Sequence, residues 1–201
     1  MVTPDQVLAF WLDECAPRDW YNSDPAFDAT IRDKFQAVWQ GATEGALGLW
    51  LTYPSGTLAY IILTDQFPRN MFRDQAVAFD TDDLARAAAK MAIERHWDMK
   101  IDEPARQFFY LPLMHAENLC DQDRAVRLIH TRMPDAGAEN APHAQAHRQI
   151  IRDFGRFPYR NAALGRRNTQ AEQDFFDAGG YGAVIKALQN SDKLTDVPQP
   201  C

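Results

Sequence analysis

The chain has 201 residues, 46% apolar and 24% charged, a balance that supports a packed core and excludes intrinsic disorder. Its net charge of −7 argues against nucleic acid as a general partner, because a phosphate backbone demands a positive face. Cys15, Cys120 and Cys201 are too scattered for a disulfide framework or a metal motif.

No apolar run approaches the ~20 residues that a membrane-spanning helix needs. The first residues also lack the basic-then-apolar pattern of a signal peptide, so a cytoplasmic location is expected. Nothing reads as a linker. Residues 1–190 are expected to form a single helical domain and residues 191–201 a flexible tail.

In chain order, Thr3-Pro4-Asp5-Gln6 is a capping box that opens a short helix carrying Val7, Leu8, Trp11 and Leu12 on its apolar side. Ser23-Asp24-Pro25 starts a second helix, in which Phe27, Ile31, Phe35 and Val38 recur at helical spacing. After the break at Pro54-Ser55-Gly56, Thr57–Phe67 is apolar nearly all round and hence central. A cap at Asp80-Thr81 predicts a helix over 82–96 with Leu84, Ala88, Met91 and Arg95 along one side. Asp102-Glu103-Pro104 predicts another helix, rich in aromatics and interrupted by Pro112. Asn140-Ala141-Pro142 predicts a helix start, and Thr169-Gln170-Ala171-Glu172 is a second capping box. No segment alternates with a period of two. The expectation is an all-α protein of about eight or nine helices, packed as an antiparallel bundle or curved stack.

Two stretches echo one another. TDQFPRNMFR, from Thr64 to Arg73, and FGRFPYRNAALGRR, from Phe154 to Arg167, both follow an apolar helical run with Phe-Pro and then Arg-Asn. Proline costs a helix interior ~3 kcal/mol or more and disfavours helical backbone in the residue before it. Breaks are therefore expected near Pro54, Pro68, Pro112 and Pro158, with Asp65 in a last turn opposing the helix dipole. An acid among arginines needs a partner once buried. Asp65 or Glu117 is expected within salt-bridge reach of Arg69, Arg73, Arg156 or Arg160. Arg148 and Arg152 are expected to be solvated.

Between these stretches, FFYLPLMHAE places His115 and Glu117 one turn after a proline. Asp65, His115 and Glu117 together hold acid–base capacity and are the catalytic candidates. Arg69, Asn70, Arg73, Arg156, Arg160 and Asn161 are the ligand-binding candidates, since paired guanidiniums recognise planar oxyanions. His143 and His147 have the spacing of a helical metal pair but lack a third ligand, so neither metal nor cofactor is expected.

The ordered set LTDQFPRNMFR, FFYLPLMHAE and FGRFPYRNAALGR, with VLAFWLDE near the start, resembles a bacterial family known as domain of unknown function 924. The resemblance runs from about Val7 to Phe176 and implies an all-helical, tetratricopeptide-like fold without an established activity. The family positions it marks include Asp65, Gln66, Arg69, Asn70, Arg73, Pro112, His115 and Glu117. In the last motif they are Gly155, Arg156, Pro158, Arg160, Asn161, Gly165 and Arg166. Tyr159 and Ala116 stand where relatives usually carry histidine and serine.

The leading functional expectation is binding of a small anionic ligand or a peptide carboxylate in an Arg-rich polar cleft. One alternative is a helical scaffold or interaction module whose charge cluster is satisfied internally. The other is a hydrolase-like enzyme using His115 and Glu117 as acid and base. Neither nucleic acid nor membrane is an expected partner, and the oligomeric state is not legible in the chain.

Overall fold

The computed structural model describes residues 2–195, with side chains to residue 190. Among these residues there is no strand. The helices are α1 (Pro4–Leu8), α2 (Pro25–Thr43), α3 (Pro54–Ile61), α4 (Phe67–Met71), α5 (Asp82–Glu94), α6 (Leu111–Met114), α7 (Leu119–Arg132), α8 (Gly137–Phe154), α9 (Gln170–Asp177) and α10 (Gly180–Thr195), joined by 3-10 and π turns. Residues 196–201, the end of the expected tail, lie outside the described residues. The chain divides into two compact units, Met1–Ala116 and Glu117–Cys201.

In the first unit, Pro4, Pro25 and Pro54 each stand at the start of a helix, where the missing N–H costs nothing. The capping box at Thr3 and Gln6 is formed. Phe35 packs on Phe67 with ring centroids 4.6 Å apart, Phe10 on Phe35 at 5.1 Å, and Trp11 on Phe67 at 5.3 Å. In α3 the residues from Gly56 to Ile61 are all buried.

The expected break at Pro68 is not there. Phe67 has φ −59° and ψ −40°, and helical backbone continues through Pro68 to Met71. A π-helical turn, Ile62–Gln66, precedes the proline, and the Phe67 N–H reaches back to the Ile62 carbonyl. Pro68 has no N–H to give the carbonyl four residues back. That carbonyl, of Thr64, accepts the Thr81 hydroxyl at 2.6 Å, while the next one, of Asp65, accepts Arg69 Nη1 at 2.8 Å. The Thr81 hydroxyl thus supplies the donor that the proline withholds, and Arg69 adds a side-chain donor beside it. Thr81 stands at the N-cap of α5 without capping it, because its hydroxyl is committed to Thr64 and to Trp39 Nε1.

Three smaller expectations are also corrected. The buried face of α5 is Ala85, Ala88, Ala89, Ala92 and Ile93, whereas Leu84 is exposed, so small residues admit close packing on α3. Pro112 opens α6 at its second position instead of interrupting a helix, and the aromatic run before it is a 3-10 helix, Ala105–Phe109. In the second unit α8 begins at Gly137 and holds Pro142 in its interior. A Cβ at position 137 would lie 3.0 Å from the Ile129 carbonyl, so glycine lets α8 start hard against α7.

The second unit is built on the α7–α8 hairpin, with α9 and α10 against it. Ile150, Ile151 and Phe157 form a buried cluster covered by Phe154, Phe175, Tyr181 and Val184. Here the corner breaks as expected. Gly155 takes the left-handed conformation, φ 69°, and ends α8; Pro158 then opens a 3-10 turn, Pro158–Arg160.

Candidate functional site

Each of the two motifs is closed by carboxylates of its own unit. In the first unit, Asp65 is fully buried in the π turn. Its Oδ1 lies 2.8 Å from His115 Nδ1 and 3.4 Å from Arg69 Nη2, and its Oδ2 accepts the Gln66 carboxamide. Burial pushes this carboxyl up, but His115, Arg69 and the hydrogen bonds from His115 and Gln66 outweigh it and keep it ionised. Burial pushes His115 down, as does the Arg69 charge, and Asp65 offsets this only in part. At neutral pH the pair is therefore a carboxylate and a neutral imidazole. Nδ1–H donates to Asp65, and Nε2 carries the lone pair. Such a pair orients a base, and it equally braces a fold.

Arg69 also meets Asp82 at the start of α5, at 2.9 Å, so this guanidinium ties α4 to α5. Asn70 and Arg73 converge on Asp28 of α2. Asn70 Nδ2 donates to Oδ1 at 2.8 Å, while Arg73 Nε and Nη2 form a fork at 2.7 and 2.8 Å. Burial opposes the ionised Asp28 carboxyl, but the Arg73 and Asn70 hydrogen bonds prevail and hold it below its usual range. Arg32, also from α2, donates to the Met71 carbonyl at the end of α4.

In the second unit, Arg156 forks on Glu172 through Nε at 2.6 Å and Nη2 at 2.8 Å. Glu172 also accepts the Thr169 N–H, as the third residue of the capping box on α9. The Arg156 bonds lead in holding its carboxyl at about 2, against its burial and with help from Thr169 and Asn161. Glu117 accepts Arg166 Nη1 and Nη2 at 2.7 and 2.9 Å and the Phe157 N–H at 2.9 Å. Burial raises its pKa, but Arg166 and Phe157 reverse that and keep it ionised. Arg160 lies over the Phe157 ring at 4.8 Å, and Asn161 Nδ2 donates to Asn168 Oδ1 at 2.9 Å. Arg152 is exposed; Arg148 is half-buried and approaches Asp123 at 3.7 Å.

The structure therefore groups Asp65, Arg69 and His115 as expected, and Asn70 with Arg73. Glu117 is set with Arg166, and Arg156 with Glu172. Sequence reasoning missed Asp28 and Glu172 as partners, although both carried a signal. Asp28 falls on the buried face of α2 with Ile31 and Phe35, an acid on an apolar stripe. Glu172 was visible as a capping-box residue, and only its second partner was hidden. Among the described residues no cluster of three or more metal-ligating side chains occurs. No helix among them is long and apolar enough to cross a membrane.

Fold and site together define an all-helical protein whose two arginine motifs close on internal carboxylates. The chain belongs to the family described as bacterial protein of unknown function (DUF924), which it matches over residues 7–180. It is similar to a solved structure, that of the protein of unknown function ATU0120 from Agrobacterium tumefaciens. The two share 38% identity with a TM-score of 0.80, over 86% of this chain and 96% of that one. No curated protein matches it.

Proposed function

We propose that this protein is a helical interaction module whose motif arginines are internal braces. The observation that carries this reading is the pair of guanidinium forks, Arg73 on Asp28 and Arg156 on Glu172, each spent on a buried carboxylate. An anion cradle needs such forks turned towards the ligand, and bidentate donors already closed on carboxylates have little left to offer one. Arg156→Met tests the reading. As a brace, its loss leaves Glu172 buried and unpaired, so the melting temperature falls, and inorganic phosphate does not raise the melting temperature of the parent. A parent stabilised by phosphate, with an Arg156→Met variant that melts no lower and has lost that response, would restore the anion-binding reading.

A second reading, hydrolase-like chemistry, rests on the Asp65–His115 pair alone. Glu117, held ionised by Arg166, is not suited to act as the acid. Turnover in a panel of activated esters that vanishes in His115→Gln, with the fold intact by circular dichroism, supports it; equal rates in both proteins remove it.

A further inference from the structure

The second unit contains a pocket of about 400 Å³ lined by Pro158, Tyr159, Ala162, Arg166, Asn168 and Phe176. That volume lies within the range of ligand sites, roughly 300–1,000 Å³. Its walls are set by the braces already described. Arg166 is fixed by Glu117, and the Tyr159 ring stacks on buried Phe157 with centroids 5.2 Å apart and 24° between planes. Tyr159 and Phe176 are each more than a third exposed, so the pocket offers two partly exposed aromatic rings beside a proline.

The polar groups narrow the guest. Asn168 accepts from Asn161 through Oδ1, which leaves its exposed carboxamide Nδ2 to donate to a carbonyl. Arg166 carries no net charge into the pocket because Glu117 neutralises it. Arg167, between two lining residues, is exposed, and its guanidinium has no partner among the described residues. The charge of the chain is also unevenly distributed. Residues 117–201 hold eleven acidic and eleven basic side chains, so the whole excess of −7 belongs to residues 1–116. The pocket's own unit therefore does not repel an acidic guest as the first unit would.

We propose that this pocket docks a peptide segment carrying an aromatic side chain flanked by acidic residues. The aromatic ring lies against Pro158, Tyr159 and Phe176, a backbone carbonyl accepts from Asn168, and a flanking carboxylate meets Arg167. Aromatic burial supplies the affinity, and the rim charge supplies orientation and salt dependence. The proposal rests on the interaction-module reading and names the partner's chemistry.

The test uses the full-length, isotope-labelled chain and the blocked peptide acetyl-Glu-Asp-Phe-Asp-Gly-amide, followed by amide chemical shifts. Saturable shifts centred on Tyr159, Ala162, Asn168 and Phe176 are expected. Arg167→Glu should weaken binding about tenfold, Phe176→Ala should weaken it at least as much, and the same peptide with alanine for phenylalanine should not bind. The proposal is overturned if no saturable shifts appear, if both variants bind like the parent, or if inorganic phosphate alone reproduces the shifts. Neither variant removes a brace side chain, and Arg156 meets residue 167 only through its backbone carbonyl, so failure here leaves the Arg156→Met test of the interaction module standing.

Discussion

The two Phe-Pro corners use nearly the same residues and reach opposite local structures. Around Pro68 the helix runs on, and the acid at its centre, Asp65, is wholly removed from water. Around Pro158 the helix has already stopped at Gly155, and Arg156 and Glu117 remain partly exposed. The first corner has no glycine to take a left-handed turn. It has a π turn, a donor from elsewhere in Thr81 and the side chain of neighbouring Arg69 to satisfy the carbonyls around the proline. At the first corner the carbonyl left by Pro68 is satisfied and the helix continues, whereas at the second Gly155, not Pro158, ends the helix.

Breaking the first corner should have the largest effect. Asp65→Ala leaves Arg69 and His115 without their shared carboxylate in a buried setting, and should cost about 3–5 kcal/mol in urea unfolding. A loss below about 1 kcal/mol would mean the pair contributes no bracing.

The same centre contributes twice to the response to acid, alongside the depressed carboxyls of Asp28, Glu117 and Glu172. The folded His115 lies below its ordinary value of 6.5, so the unfolded chain binds that proton more readily. Its contribution is complete above about 6.5 and is lost as pH falls below that value. Asp65 is depressed from an ordinary 3.8, so its contribution is complete above about 4 and lost as pH falls towards its folded value. Stability should fall in two stages, and His115→Gln should shrink the upper one, to which His143, also held down by burial, contributes in the same direction; an upper stage unchanged in His115→Gln would contradict this.

Thr81→Val tests the rescue of Pro68 directly. It removes the hydroxyl between the Thr64 carbonyl and Trp39 Nε1 at almost constant volume, and should cost about 1–3 kcal/mol. An unchanged unfolding midpoint would show that these two groups find other partners. The second corner should be the more tolerant. Gly155→Ala meets no atom within 4 Å and suffers only from its positive φ, so about 1 kcal/mol is expected from thermal unfolding. A cost above about 3 kcal/mol would show that the second corner is as tightly built as the first.

The sequence by itself determined that the chain is helical, where α1, α2 and α9 begin, and that Asp65 must answer an arginine; α3 starts at Pro54, three residues before the expected Thr57. Those features are local. Capping boxes, proline at a first position and an acid four residues from an arginine act within one or two turns. Tertiary structure decided the rest. Whether Pro68 breaks a helix depended on Thr81, thirteen residues further on, and Asp28 became the partner of Arg73 only once α2 lay against α4. Glu172 was legible as a cap, yet its bond to Arg156 needed α9 folded back on the end of α8. Hydrogen-bond demand is written in the chain, but which distant group meets it depends on packing.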